Sequence, residues 1–204
     1  MQTPTPPADP RASLVGSLGA AIGFAGFAVA VVAVPEVTAR WTAKEATLEH
    51  ISHAVLVVAV TSWVVLARKQ PPRSIVRRVA FAVAAWCLFV LGEEVQWGAV
   101  YEVDLVAAPL ADVVGRPDLH NAWSGASYLL FGLPVAALAA LGWRRPAGWA
   151  LLDRGDGAAL MVVMGASLLG TLLFPAVEAQ LDEVSELMLY SVLVWSAVRP
   201  RAVR

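Results

Sequence analysis

The chain has 204 residues, of which 58% are hydrophobic and 15% are charged, and its mean hydropathy is +0.66. This composition is too apolar for a water-soluble domain of this size and predicts a compact protein with several membrane spans. The formal net charge of -1 and the pI near 6.3 indicate no general basic surface, so we expect no nucleic-acid partner.

Apolar runs of about 20 residues, the length that a helix needs to cross hydrocarbon, predict the transmembrane helices. The Pro-rich residues 1–12 precede the first run and predict a disordered N-terminal arm. Six runs follow, at 13–34, 47–67, 79–100, 120–142, 157–177 and 178–198, and a basic tail covers 199–204. We therefore predict an all-α fold, a polytopic membrane bundle of six transmembrane helices in one domain over 13–198.

The connections between these predicted helices differ in charge, which predicts their orientation. Five Lys and Arg residues lie between the second and third spans, three lie between the fourth and fifth, and three lie in the C-terminal tail. The other connections are mixed or acidic. Both termini are therefore expected on the cytoplasmic side.

The ionisable residues of the predicted spans share one layer near the outer face. They are Glu49, His50, His53, Glu93, Glu94, His120, Glu178, Asp182, Glu183 and Glu186. At about 1.5 Å rise per residue, Glu94 and Glu186 would each lie roughly 10–13 Å from a helix end. The four-residue spacing of Glu178, Asp182 and Glu186 places them on one helix face. We expect these side chains to meet in a shared polar site.

Charge compensation predicts what such a site contains. A charged side chain in hydrocarbon costs at least about 2.5–3.5 kcal/mol, and clustered carboxylates must share protons, bind a metal or pair with protonated histidine. Imidazole and carboxylate together form the ligand set of zinc and of non-haem iron and manganese. The predicted cofactor is a divalent metal, zinc or else iron or manganese. Its candidate ligands are His53, His120, His50, Glu93 and Glu183, and Glu94 or Glu186 is the candidate catalytic base.

Structural roles stay open for the shallower residues. His50 lies one turn from the predicted aqueous end and is suited to an interfacial position. Glu49 and Glu178 at helix N-termini would be favoured by the helix dipole. Asn121 is suited to capping the fourth helix.

GEEVQWG at 92–98 and DLHN at 118–121 together form a recognisable pattern. It resembles the GEE-x-x-WG and LHN signature of a group of uncharacterised bacterial multi-pass membrane proteins. The resemblance implies that Glu93, Glu94, Trp97, His120 and Asn121 belong to one motif, and it implies the bacterial cytoplasmic (inner) membrane as location. A looser similarity is to alkaline-ceramidase-like membrane hydrolases, which hold zinc with three histidines, an aspartate and a serine.

Three classes of function fit these observations. The first is a metal-dependent membrane hydrolase that acts on a lipid-like substrate, with membrane lipid as its partner. The second is a transporter or proton-coupled channel, although polar residues are scarce in the predicted cytoplasmic halves of the spans. The third is a non-catalytic subunit that assembles with partner membrane subunits, either structural or holding a cofactor such as haem.

Overall fold

The computed structural model describes residues 19, 22–23, 25–31, 33–42, 47–96, 111–113, 124–144 and 151–199. Among them 90% are helical and none is in a strand, which confirms the all-α fold class for this part of the chain. The helices are α1 (Pro35–Thr42), α2 (Thr47–Arg68), α3 (Ile75–Glu94), α4 (Ser124–Arg144), α5 (Arg154–Leu173) and α6 (Glu178–Val198). A 3-10 turn, Pro175–Val177, joins α5 to α6. The described residues of 19–33 are helical as well.

Two helices match their predicted spans closely, whereas others differ at their ends. Helices α2 and α6 agree with 47–67 and 178–198 to within a residue. Helix α1 lies in a stretch that was predicted as a connection. Val34 is not helical, and the new helix begins at Pro35, since proline is suited to the first position of a helix. The predicted arm at 1–12 and most of the tail lie outside the described residues.

Helix α3 begins at Ile75 rather than 79 and ends at Glu94 rather than 100. Its start is set by Ser74, whose hydroxyl oxygen accepts a hydrogen bond from the backbone N–H of Arg77 at 3.1 Å. Its end is set by a change of backbone direction, since Gln96 has a φ of 49°. Glu93 and Glu94 are therefore the last two residues of this helix.

The start of α5 is fixed by a capping box. The Asp153 carboxylate accepts hydrogen bonds from the backbone N–H groups of Gly155 and Asp156, and the Asp156 carboxylate accepts one from the Asp153 N–H. Arg199, directly after α6, donates to both carboxylates. The beginning of α5 therefore lies beside the end of α6, at what we call the Arg199 end of the bundle.

Helix α2 occupies a central position, packed against α3 and α6, while α5 packs against α4 and α6. Trp63 is fully buried and donates its indole N–H to the Leu193 carbonyl of α6 at 3.1 Å. Trp86 of α3 donates likewise to Leu130 of α4 at 3.3 Å. These indole bonds link helices that are distant in sequence.

Glycine allows α4 and α5 to approach closely. A methyl group at Gly157 would lie 2.7 Å from the Ala139 carbonyl oxygen and 2.9 Å from the Trp143 nitrogen. A methyl group at Gly142 would meet the Asp153 carbonyl oxygen at 2.8 Å. Small residues at helix contacts of this kind are typical of packing within membranes.

Among the described residues, two helices are long and apolar enough to cross a membrane. They are α2 and α3, with mean hydropathies of 1.8 and 1.9 in their most apolar windows. Only 33% and 39% of those windows are buried in the folded chain, and exposed apolar residues such as Val57, Val58 and Leu88 lie on these two helices. Exposed apolar side chains also line α5 and α6, including Leu168, Leu169, Leu172, Trp195 and Val198.

Candidate functional site

The first turns of α2 carry a buried carboxylate and imidazole. Glu49 and His53 are 6% and 4% exposed, and the Glu49 Oε1 and His53 Nε2 atoms lie 3.9 Å apart. Both belong to the buried face of α2, whose positions recur every three or four residues and continue through Leu56 to Trp63. The N-terminal end of a helix stabilises an anion, so the local backbone favours the Glu49 carboxylate.

The two glutamates of α3 occupy different environments. Glu93 is fully buried and extends the face formed by Cys87 and Val90, whereas Glu94 is partly exposed. The prediction that Glu94 lies roughly 10–13 Å inside its helix is wrong, because α3 ends at this residue. The C-terminal end of a helix disfavours anions, which increases the need for a compensating proton or cation here.

Helix α6 reaches α3 through Tyr190. The Tyr190 hydroxyl donates a hydrogen bond to Glu94 Oε1 at 3.2 Å, and the tyrosine is 2% exposed. Tyr190 lies one turn beyond Glu186, so it continues the predicted stripe of Glu178, Asp182 and Glu186. Tyr190 was not among the predicted site residues, because the prediction used only the charged residues of that helix face.

Carboxylates from three helices converge around this hydrogen bond. Glu94 interacts electrostatically with Glu183 of α6 and Glu49 of α2, and Glu186 interacts with both Glu94 and Glu49. We call Glu49, His53, Glu94, Glu183 and Glu186 the Glu/His cluster. It lies where α2 and α6 begin and α3 ends, which we call the cluster end of the bundle. The main electrostatic neighbours of Glu94 and Glu186 are other carboxylates.

Serine hydroxyls lie at the margin of the cluster. Ser167 of α5 donates to Asp182 Oδ1 at 3.4 Å, which links a fourth helix to this end of the bundle. Ser52, 3% exposed and one turn from Glu49, has no hydrogen-bond partner for its Oγ among the residues that the structure describes. An additional group at this position would satisfy that hydroxyl.

The remaining predicted ligands are His50, Glu93 and His120. The His50 side chain is exposed, and its ring meets that of His53 edge-on with centroids 5.9 Å apart. His50 therefore lies at the rim of the site rather than inside it. Glu93 is adjacent to Glu94 but on the buried face of α3. His120, like Trp97 and Asn121, lies outside the described residues.

An apolar layer separates the cluster from the Arg199 end. It contains Leu56, Trp63, Cys87 and Leu193, all fully buried, on the three helices that carry the cluster. Polar side chains within it are few, and Trp63 directs its N–H to a backbone carbonyl. Apolar side chains therefore separate the described part of the cluster from the Arg199 end.

A protein metal site needs several donor side chains close together. Glu49 and His53 place a carboxylate and an imidazole on one face, but within 19–199, as far as the chain is described, no group of three or more His, Cys, Asp or Glu side chains is arranged to hold a metal ion. A complete set of ligands requires a further residue or a rotation of Glu94, Glu183 or Glu186 toward His53.

Comparison with known proteins adds no relative: no family model, no curated protein and no solved structure matches the chain.

Proposed function

We propose that the chain is an integral membrane protein of the bacterial cytoplasmic (inner) membrane, with six transmembrane helices and both termini in the cytoplasm. The outward apolar surface of α2 and α3 supports this, because a buried helix of a soluble protein would hide most of such a surface. The basic residues support the orientation, since Arg68, Arg144, Arg154 and Arg199 are at the ends of helices away from the cluster.

We further propose that the Glu/His cluster binds a divalent metal, zinc or else iron or manganese. The observation that carries this proposal is the convergence of carboxylates from α2, α3 and α6 on the Tyr190–Glu94 hydrogen bond, beside the imidazole of His53. Carboxylates grouped in a medium of low dielectric need a compensating positive charge. A metal ion would supply that charge, and His53 with Glu49 supplies two suitable donors.

His120 is the proposed third ligand. The resemblance of GEEVQWG and DLHN to one signature implies that His120 acts together with Glu93 and Glu94. Three protein ligands with one open coordination position are typical of catalytic zinc sites. With His53, a glutamate and His120 as ligands, Glu94 or Glu186 stays available to handle protons.

The reaction that fits these residues is hydrolysis of a lipid-like ester or amide. A bound divalent metal polarises a carbonyl group and acidifies water. Glu94 accepts a proton from a water molecule while the water oxygen forms a bond to the carbonyl carbon. The acyl–oxygen or acyl–nitrogen bond then breaks, and Glu94 gives the proton to the leaving group. A site at the predicted outer end, with apolar helix surfaces beside it, suits a substrate that enters from the outer leaflet.

The experiment measures cleavage of fluorescent N-acyl and O-acyl lipids by the detergent-purified chain, with zinc, iron or manganese added after chelation. Glu94→Gln should abolish cleavage while the protein stays folded, because the change keeps the volume and removes the carboxylate. Glu36→Gln, at an exposed position of α1, is the matched control and should retain full activity. Full activity of Glu94→Gln would exclude this carboxylate as the base.

A second candidate is a non-catalytic subunit of a larger membrane complex. The direct pairing of Tyr190 with Glu94 and of Ser167 with Asp182 favours it, because polar pairs of this kind can hold helices together without a metal. Proton or cation translocation is less well supported, since the apolar layer of Leu56, Trp63 and Leu193 lies between the cluster and the Arg199 end. Binding of a partner with no loss on Glu94→Gln would favour the subunit.

A further inference from the structure

We propose that Tyr190 is the positioning residue for Glu94 and that it selects Glu94, rather than the adjacent Glu93, as the base of the site. This inference rests on the proposed function for the role of the base. The contact itself does not depend on that function: the Tyr190 hydroxyl donates to Glu94 Oε1 at 3.2 Å. This hydrogen bond connects α6 to the Glu94 Oε1 atom at the end of α3.

The geometry of α3 explains why one glutamate is selected. Successive residues of a helix point about 100° apart, so Glu93 and Glu94 lie on different parts of the α3 surface. Glu93 continues the buried face of Cys87 and Val90, and it is fully buried. Glu94 is turned from that face, remains partly exposed and receives the tyrosine hydroxyl. Glu94 therefore combines the tyrosine contact with partial exposure.

Tyrosine is suited to this role because its position is determined by packing. The ring of Tyr190 belongs to the main apolar core together with Cys87 and Leu193, and the residue is 2% exposed. A buried tyrosine hydroxyl requires a hydrogen-bond partner. Because the tyrosine side chain has few rotatable bonds, a packed ring keeps its hydroxyl in one place. The packed ring therefore fixes the position of Glu94 Oε1. The hydrogen bond uses this one oxygen, so Glu94 Oε2 can contact a water or a metal.

Infrared spectroscopy of the full chain in detergent tests the contact without requiring any activity. The difference between wild type and Glu94→Gln isolates the Glu94 carboxyl absorption. The same absorption is then isolated without the tyrosine hydroxyl, as the difference between Tyr190→Phe and the Tyr190→Phe, Glu94→Gln double variant. Ser191→Ala is the control, because it removes an exposed hydroxyl that donates to the Leu187 carbonyl one turn away on α6.

The Glu94 absorption should shift in Tyr190→Phe and stay in place in Ser191→Ala. An unshifted Glu94 absorption in folded Tyr190→Phe would overturn the proposal. Both results can be read whether or not the protein binds a metal.

The link to function is measured separately, as zinc affinity. Loss of a residue that orients a metal-site carboxylate lowers affinity or activity by about 10–100-fold. Tyr190→Phe should show a loss in this range, and Ser191→Ala should show none. If wild type binds none of zinc, iron and manganese, the proposed function fails, while the infrared result still decides the role of Tyr190. If wild type binds zinc and Tyr190→Phe binds it equally well, the positioning role is contradicted.

Discussion

Substitution of Gly157 by alanine should separate α4 from α5. The new methyl group would lie 2.7 Å from the Ala139 carbonyl oxygen and 2.9 Å from the Trp143 nitrogen, and both are backbone atoms that cannot rotate away. Ordinary van der Waals contact begins at 3.4 Å, so the helices must move apart by 3.4 − 2.7, or about 0.7 Å. Overpacking of this kind costs about 1–3 kcal/mol.

The assay is thermal unfolding of the purified protein in detergent. At roughly 2–4 °C per kcal/mol for a chain of this size, the unfolding midpoint of Gly157→Ala should fall by roughly 2–12 °C. Gly165→Ala is the matched control on the same helix, because its methyl group would meet nothing within 4 Å. Alanine favours a helix over glycine by about 1 kcal/mol, so Gly165→Ala should leave the midpoint unchanged or raise it. Equal midpoints for the two variants would refute the close approach of α4 and α5.

Three further predictions concern buried polar contacts, each measured by thermal unfolding. Arg199→Met should lower the free energy of unfolding by about 3 kcal/mol, because it leaves the Asp156 carboxylate buried without its cation, and an unchanged midpoint would contradict this. Trp63→Phe should cost about 1–3 kcal/mol, since the Leu193 carbonyl loses the indole N–H; a neutral result would show that the bond contributes nothing. Ser52→Ala should leave stability unchanged or raise it by up to about 1 kcal/mol, and a clear loss would show that the hydroxyl has a partner after all.

The helical fold and two of the boundaries were predictable because they depend on local hydrophobicity. The apolar runs that begin at Thr47 and Glu178 follow polar or Pro-containing stretches, so their starts are marked in the sequence. The end of α3 was not predictable in this way. Hydrophobic residues continue past Gln96, and hydrophobicity carries no information about the positive φ at which the helix stops.

The candidate site was predicted in part for the same reason. Charged residues within apolar runs identified His53, Glu94, Glu183 and Glu186, which the structure brings to one end of the bundle. Tyr190 was missed because an uncharged tyrosine in an apolar helix is usually a core residue. Its role depends on a contact between α6 and α3, which are separated by 96 positions at this bond, and single-sequence periodicity does not report such contacts.

The central claim is that the Glu/His cluster binds a metal, and elemental analysis by mass spectrometry tests it most directly. The protein is purified in detergent without chelator, as wild type, as the Glu94→Ala, His53→Ala double variant and as the Glu36→Gln control. We predict near-stoichiometric zinc, iron or manganese in wild type and in Glu36→Gln, and its loss in the folded double variant. The absence of metal from folded wild type would contradict the claim and would favour protonated carboxylates in a structural subunit.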